Sequence, residues 1–364
     1  VRVVGGSGRQ GGAQPPGGPF EQESGVVPLP VKNPGDHSTP AVVDGLSISA
    51  GTRKADLAWR WISFLAQQQA GQGGRFEVSS SGTLPALTSV AAAAGTWERL
   101  DEETAAALEF ATEHAYIDTY DGSGYEAFRE AVLQVMDDGA SPEEALAAAQ
   151  ATAETTIETE AAAAPTPVAD LTVVETEQQA VNSGAVIVEF GLSSGPGPFR
   201  QQSLTGLIAQ FQAEHPDIIV EVQSPQGFRG QLDLAAMAAE YDCFQASPAL
   251  NDETLAAIVS VEPFLAADTS VRKDDFFASI LEQFVYQGQL WGLPGNVSVN
   301  VVNYNKDLFD AAGLAYPTPS WTTSDFLELA VALTQGSGED EQYGYVPSFS
   351  EANDLVSILD RLGA

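Results

Sequence analysis

Two continuous apolar runs that bracket a helix-period segment constrain the fold more than any other feature of this chain. The runs AVIVEF (185–190) and DIIVEV (217–222) are broken only by single acids, the pattern of strands covered on both faces. Between them Leu204, Leu207, Ile208 and Phe211 recur at 0, +3, +4 and +7, and the segment stops at His215-Pro216. That spacing predicts a helix that ends before the proline. Strand, crossover helix and second strand in this order imply a parallel sheet with a right-handed crossover. A further helix is expected from about Thr322, using Phe326, Leu329, Ala330 and Leu333. The class is α/β.

At 364 residues the chain exceeds one core of usual size, so two domains or lobes are expected. Composition marks where they divide. Residues 151–183 are Ala, Thr, Glu and Pro with almost no aromatics, and Pro165 and Pro167 sit in the middle. Such a stretch reads as a solvated linker, its first few residues the frayed end of a helix. The expected units are therefore a first block, 1–157, a linker, 158–183, and a second block, 184–364. Residues 5–19, rich in Gly and Pro, read as a loop. The two blocks do not resemble each other.

The first block reads as mostly helical. VVDGLSIS (42–49) is its one plausible strand, followed by a helix over about 54–69 with Ala58, Trp61, Ile62 and Leu65 on one face. A second helix, over about 124–138, carries Phe128, Val132, Val135 and Met136 and stops at Gly139. Ser141-Pro142-Glu143-Glu144 then supplies a cap, a proline at the first helical position and an acid three residues after the cap. That combination starts a helix.

Charge and cysteine usage remove several functions. Fifteen Lys and Arg stand against 50 Asp and Glu, a formal charge of −35, which repels phosphate backbones and anionic lipid surfaces. Nucleic-acid binding is excluded on that ground. Cys243 is the only cysteine, so neither an intrachain disulfide nor a cysteine-built metal site can form. His37, His114 and His215 lie far apart, and no cofactor or metal motif is present. No apolar run approaches the roughly 20 residues of a membrane span. The chain opens at Val1 without a recognisable signal peptide, so membrane attachment is expected only through an anchor outside it.

One catalytic motif calls for weighing. Gly191-Leu192-Ser193-Ser194-Gly195 matches G-x-S-x-G after a strand, as a nucleophile elbow would. An elbow turns directly into a helix, whereas Pro196-Gly197-Pro198 intervenes here, and the only downstream histidine is His215. A Gly-rich strand-to-helix loop facing a ligand cleft is the better reading; a serine hydrolase at Ser193 is kept as a distant alternative. Adjacent acids such as Asp274-Asp275, Glu102-Glu103 and Asp137-Asp138 read as solvated faces in so acidic a chain. Cys243 reads as a buried, inert thiol.

The run from 286 to 345 is different. It holds YQGQLWGLP, NVSVNVVNYNKDLFDAAGL, YPTPSWTTSDFLELAVALT and QYGYVPSF in that order. Gly288, Gly292, Leu293, Pro294, Tyr304, Asn305, Lys306, Gly313, Pro319, Trp321, Ala330, Leu333, Tyr343 and Gly344 fill the motif places of a known family. The chain here resembles the family 1 extracellular solute-binding proteins of ABC importers, the maltose-binding-like group. GVVPLP (25–30), the stretch 43–66, GTLPAL (82–87) and GASPEEALAAAQ (139–150) resemble the C-terminal half of the same family. The order is thus reversed, as in a C-terminal half followed by the N-terminal half of another copy, or in a circular permutant.

The resemblance implies a periplasmic-binding-protein-like fold of two lobes joined by hinge strands, one lobe nearly complete here and the other incomplete. It implies a non-enzyme that closes on a small solute, a mono- or oligosaccharide, and hands it to permease subunits outside the cytoplasm, in the periplasm or at the cell surface with a lipid anchor. A ligand-sensing ectodomain of a signalling protein uses the same fold. Carried over position by position, the ligand residues are Ser193 and Ser194 after the first strand, and Gln223, Ser224 and Gln226 after the second. Gln245 and Ala246 follow at the third, Asn296 and Ser298 before the YNK motif, and Tyr120, Asp121 and Tyr125 in the first block. The resemblance further implies that Leu46–Ser49 joins the sheet of 185–190, 217–222 and 241–244, and that a clamp so incomplete binds solute weakly or not at all.

Overall fold

A computed structural model describes residues 2–4, 24–33, 39–68, 83–117, 122–162, 184–192, 198–223, 234–246, 250–336 and 342–346. The first block runs through β1 (Arg2–Val4), β2 (Ser24–Pro28), β3 (Thr39–Ile48) and α1 (Ala55–Ala66). It continues with β4 (Thr83–Pro85), α2 (Thr88–Ala93), α3 (Glu102–Glu113) and β5 (Ala115–Ile117). The paired helices α4 (Gly122–Asp138) and α5 (Pro142–Ala162) complete it. The second block opens with β6 (Val186–Gly191), α6 (Pro198–Glu214), β7 (Ile218–Gln223), α7 (Leu234–Glu240) and β8 (Cys243–Gln245). Three short helices follow, α8 (Asp252–Leu255), α9 (Glu262–Ala267) and α10 (Ala278–Glu282). The hairpin β9 (Val285–Tyr286) and β10 (Gln289–Leu290) leads to β11 (Leu293–Val299) and β12 (Val301–Asn305). The helices α11 (Lys306–Ala312) and α12 (Thr323–Leu333) come last.

The α/β class holds. β6 and β7 pair in parallel around the α6 crossover, and β8 pairs in parallel with β6. These strands belong to a seven-stranded sheet ordered β4-β11-β3-β8-β6-β7, with β5 against the start of β3. The central member is therefore β3, a first-block strand between two second-block strands. Leu46 stands opposite Gln245, Ser47 opposite Phe244 and Ile48 opposite Cys243, and the Ser49 amide donates to the Asp242 carbonyl at 3.0 Å. The expected pairing of Leu46–Ser49 is present.

Side chains explain why the two blocks meet. α1 turns Ala58, Trp61 and Ile62 inward, all fully buried. Trp61 packs edge-on against Phe190 of β6 and Phe211 of α6, with ring centroids 5.8 and 5.1 Å away. Leaving that stripe in water would forfeit about 1.5–3 kcal/mol for each large side chain. A polar tie lies beside it. The buried Asp242 accepts from Lys54 Nζ at 2.9 Å, from Thr52 Oγ1 at 2.5 Å and from the Glu189 amide at 3.0 Å. Cys243 is fully buried and burial pushes its thiol pKa well up, so it is inert.

β11 runs through Asn300 into β12 of a second sheet, ordered β1-β12-β2. Its small core holds Val27, Leu29, Val302, Tyr304, Phe309, Trp321, Phe326 and Leu333. Trp321 Nε1 donates to the Pro28 carbonyl at 2.7 Å, again joining the blocks. α12 starts at the expected place, where Thr322 and Asp325 exchange the reciprocal bonds of a capping box. α4 and α5 share a separate core of Ala131, Ala145 and Ala149. α5 runs to Ala162, past the expected boundary at 157, because its Ala- and Glu-rich composition favours helix even where it buries little. Residues 163–183, and the expected loop at 5–19, lie outside the described residues.

The YNK motif proves to be a fastening between blocks. Asn305 caps α11 by accepting from the Leu308 amide at 3.1 Å. Tyr304 Oη and Lys306 Nζ each donate to Glu103 of α3, at 2.5 Å. Burial and the adjacent Glu103 push the Tyr304 phenol well above its ordinary value, so it remains a donor. Burial works to raise the Glu103 pKa, but the bonds from Lys306 and Tyr304 outweigh it, and the net shift is downward. A carboxyl depressed in the folded state contributes stability above its unfolded pKa and loses that contribution as pH falls through the folded value. We expect acid to loosen this corner below about pH 4. Acid unfolding of wild type and Glu103→Gln, followed by Trp321 fluorescence, should show a shallower pH dependence in the variant; identical slopes would contradict it.

Candidate functional site

Parallel β6, β7 and β8 end along one line, with Gly191 level with Gln223 and with Phe244. In open α/β sheets ligands bind beyond such carboxyl ends. The Leu192 amide donates to the Gln223 carbonyl at 2.9 Å, which fixes the turn out of β6. Gly191 is required at this point, since a Cβ there would lie 2.3 Å from the Tyr241 ring.

The next strand, β3, runs antiparallel and carries the edge further. Beyond Leu46 come Gly45 and Asp44. The Ala246 amide donates to the Gly45 carbonyl at 2.8 Å. On the other side β11 matches Leu293 to Leu46 and Pro294 to Gly45, then slips so that Val297 meets Val43. Gly295 and Asn296 thus stand against Asp44 alone, a one-residue bulge. Bulges re-aim side chains and recur beside functional sites. Here the bulge brings Asn296 Nδ2 to within 3.5 Å of Asp44 Oδ2. Gln245 Nε2 donates to Asp44 Oδ1 at 2.5 Å. One half-buried carboxylate, from the first block, therefore collects an amide from each neighbouring strand of the second.

The strand period places more groups on that face. Ala41 and Val43 are buried in the core, whereas Val42 is 70% exposed and lies two residues from Asp44, on the same side of β3. Ser298, half-buried, pairs in register with Val42. The result is an open apolar position beside Asp44, Asn296 and Ser298.

Of the residues read from the sequence, the structure brings Gln245, Asn296 and Ser298 together and sets Gln223 at the end of β7 along the same edge. Ala246 is 2% exposed and packs with Phe244, Met237 and Trp291 in an apolar cluster, so it supports the edge from below and presents no side chain. Ser193, Ser194, Ser224, Gln226, Tyr120 and Asp121 lie outside the described residues. Tyr125 falls on α4, and its side chain is not among those described. Asp44 and Val42 were not singled out in the sequence. Asp44 lies there within the expected strand 42–49, and only the bulge in β11 shows that the aspartate faces two amides. Among the described residues no group of His, Cys, Asp and Glu could hold a metal ion, and no helix is long and apolar enough to cross a membrane.

The described part of this sheet edge carries amides, a hydroxyl and one carboxylate, groups that can hydrogen-bond a ligand. Residues 200–359 match the family of bacterial extracellular solute-binding proteins, so the second block bears out the family resemblance of its motifs. Two solved structures are similar in part. One, CpMnBP1 with mannobiose bound, is 24% identical over 46% of this chain and 44% of that one, with a TM-score of 0.30. The other, CpMnBP1 with mannotriose bound, is 22% identical over 43% and 40% respectively, with a TM-score of 0.28. The chain spans less than half the length of either.

Proposed function

We propose that this chain binds a small extracytoplasmic solute, a carbohydrate, at the carboxyl edge of its seven-stranded sheet, and serves an ABC importer. The observation that carries the reading is the coincidence of the family match over 200–359 with a polar edge built by Gln223, Gln245, Asn296 and Ser298. Amides and hydroxyls at the mouth of an α/β sheet suit a ligand recognised through its hydroxyl groups, and an exposed valine suits the C–H face of a sugar ring. The fold offers a way to signal occupancy. β11 passes from the large sheet into β12 of the small one, and a solute touching both sheets favours the arrangement in which they approach. Such a chain needs no catalytic group, and its partners are the solute and permease subunits. A sensing ectodomain would bind by the same edge and differ only in what reads the closure.

The test is calorimetry of the chain against maltose, mannobiose, cellobiose and glycerol 3-phosphate. We expect at least one uncharged sugar to bind with a dissociation constant weaker than about 1 μM, near −8 kcal/mol, and Gln245→Ala to weaken it about tenfold. Failure of every sugar to bind would overturn the reading. Sub-micromolar affinity would instead contradict the incomplete second lobe.

A further inference from the structure

We infer that Asp44 is a positioning residue that fixes which way Gln245 and Asn296 face, so that the site takes uncharged hydroxyl-bearing solutes and turns away anionic ones. The inference deepens the proposed binding role and its selectivity half rests on that role. Its basis is the donor and acceptor inventory of three side chains. An ionised carboxylate only accepts, whereas an amide side chain carries two donors on nitrogen and an acceptor oxygen. With Gln245 Nε2 on one carboxylate oxygen and Asn296 Nδ2 on the other, both amides are held nitrogen-inward, which commits their carbonyl oxygens to other partners. Asn296 Oδ1 is buried and accepts no hydrogen bond. Turning the amide over would set that oxygen against the Asp44 carboxylate, so the carboxylate fixes its orientation.

The setting of Asp44 adds a second constraint. It lies at the bulge, with the exposed Val42 two residues away on the same face and Ser298 beside that valine. A solute ring resting on Val42 would bring its substituents up to Asp44 and Asn296. Hydroxyl donors fit this surface. A carboxylate or phosphate at the same place would meet the Asp44 charge, a repulsion that discriminates between otherwise similar ligands. The net charge of −35 acts in the same direction.

Side-chain amide spectra of the full ¹⁵N-labelled chain test the positioning directly, without any ligand. In the wild type one proton of each amide, Gln245 and Asn296, should exchange with solvent at least tenfold more slowly than those of an exposed glutamine. In Asp44→Asn, which can accept from only one of the two, at least one amide should lose that protection while backbone spectra elsewhere stay in place. Unprotected amides in the wild type, or equal protection in both proteins, would overturn the positioning role. If Asp44→Asn does not fold, the wild-type exchange rates decide it alone. For selectivity, calorimetry compares glucose with glucuronate, and maltose with its aldonic acid, on both proteins. The ratio of affinities, uncharged over anionic, should fall about tenfold in Asp44→Asn; an unchanged ratio would overturn the selectivity. Should no sugar, charged or uncharged, bind either protein, the solute-binding reading fails and selectivity falls with it, while the amide spectra still decide what Asp44 does.

Discussion

Truncating Trp61 to alanine should lower the unfolding free energy by about 3–5 kcal/mol, the usual cost of deleting a fully buried indole. Trp61 has no exposure and packs against Phe64 of its own helix and against Phe190 and Phe211 of the second block. Its loss therefore opens a cavity where the two blocks join. Trp61→Phe should cost far less, about 1 kcal/mol. The buried indole Nε1 has no hydrogen-bond partner, so removing it relieves a desolvation cost that offsets part of the lost volume. Urea unfolding of the three proteins checks this; equal destabilisation by both substitutions would mean that Trp61 is held by a polar contact, not by packing.

The second large effect is expected at Gly45. A Cβ there would sit 2.1 Å from the Ala246 carbonyl oxygen and 2.8 Å from the Phe284 ring. The oxygen is backbone and cannot rotate away, so Gly45→Ala must push β3 from β8 and break the bond between the Ala246 amide and the Gly45 carbonyl. We expect a loss of about 3 kcal/mol, at the upper end for overpacking, together with loss of the protected Gln245 amide next to it. Gly206 is the control. It lies in α6 with open space around its Cβ position, and Gly206→Ala should stabilise by about 0.5–1 kcal/mol. Thermal unfolding that places both variants on the same side of wild type would refute the argument.

The parts of the fold legible in the sequence are those set by local period. The β6–α6–β7 unit, the inward stripe of α1, the start of α12 near Thr322 and the start of α5 at Pro142 follow from spacing and capping chemistry alone. The YNK motif was visible as a pattern, but its role as a fastening required Glu103, about 200 positions away, and no local signal links them. The site divides in the same way. Gln245, Asn296 and Ser298 were all placed by resemblance, the last two by their position before YNK. Asp44 was hidden because its function depends on a slip in another strand: in isolation, Asp-Gly in a β-branched run says only that the backbone needs freedom there. Val42 was hidden because a valine in a strand is ordinarily core, and only the parity of β3 against its neighbours exposes it.

The placement of β3 at the centre of the large sheet has a consequence for the order in which this chain acquires structure. Its partners β8 and β11 lie about 200 and 250 residues further on, so the middle of the sheet cannot zip until Val299 has been made. Closing a loop of that length adds entropy only logarithmically, but non-local pairing of this kind slows folding markedly. Until then β5 covers only the start of β3, at Thr39–Ala41, the rest of the strand has bare edges and α1 an apolar stripe without its second-block partners, a condition that invites pairing with other chains. The Asp44 cluster, which draws one residue from the early strand and two from the late ones, would be among the last features to form. Its amide signals would thus report completed folding as directly as they report the site.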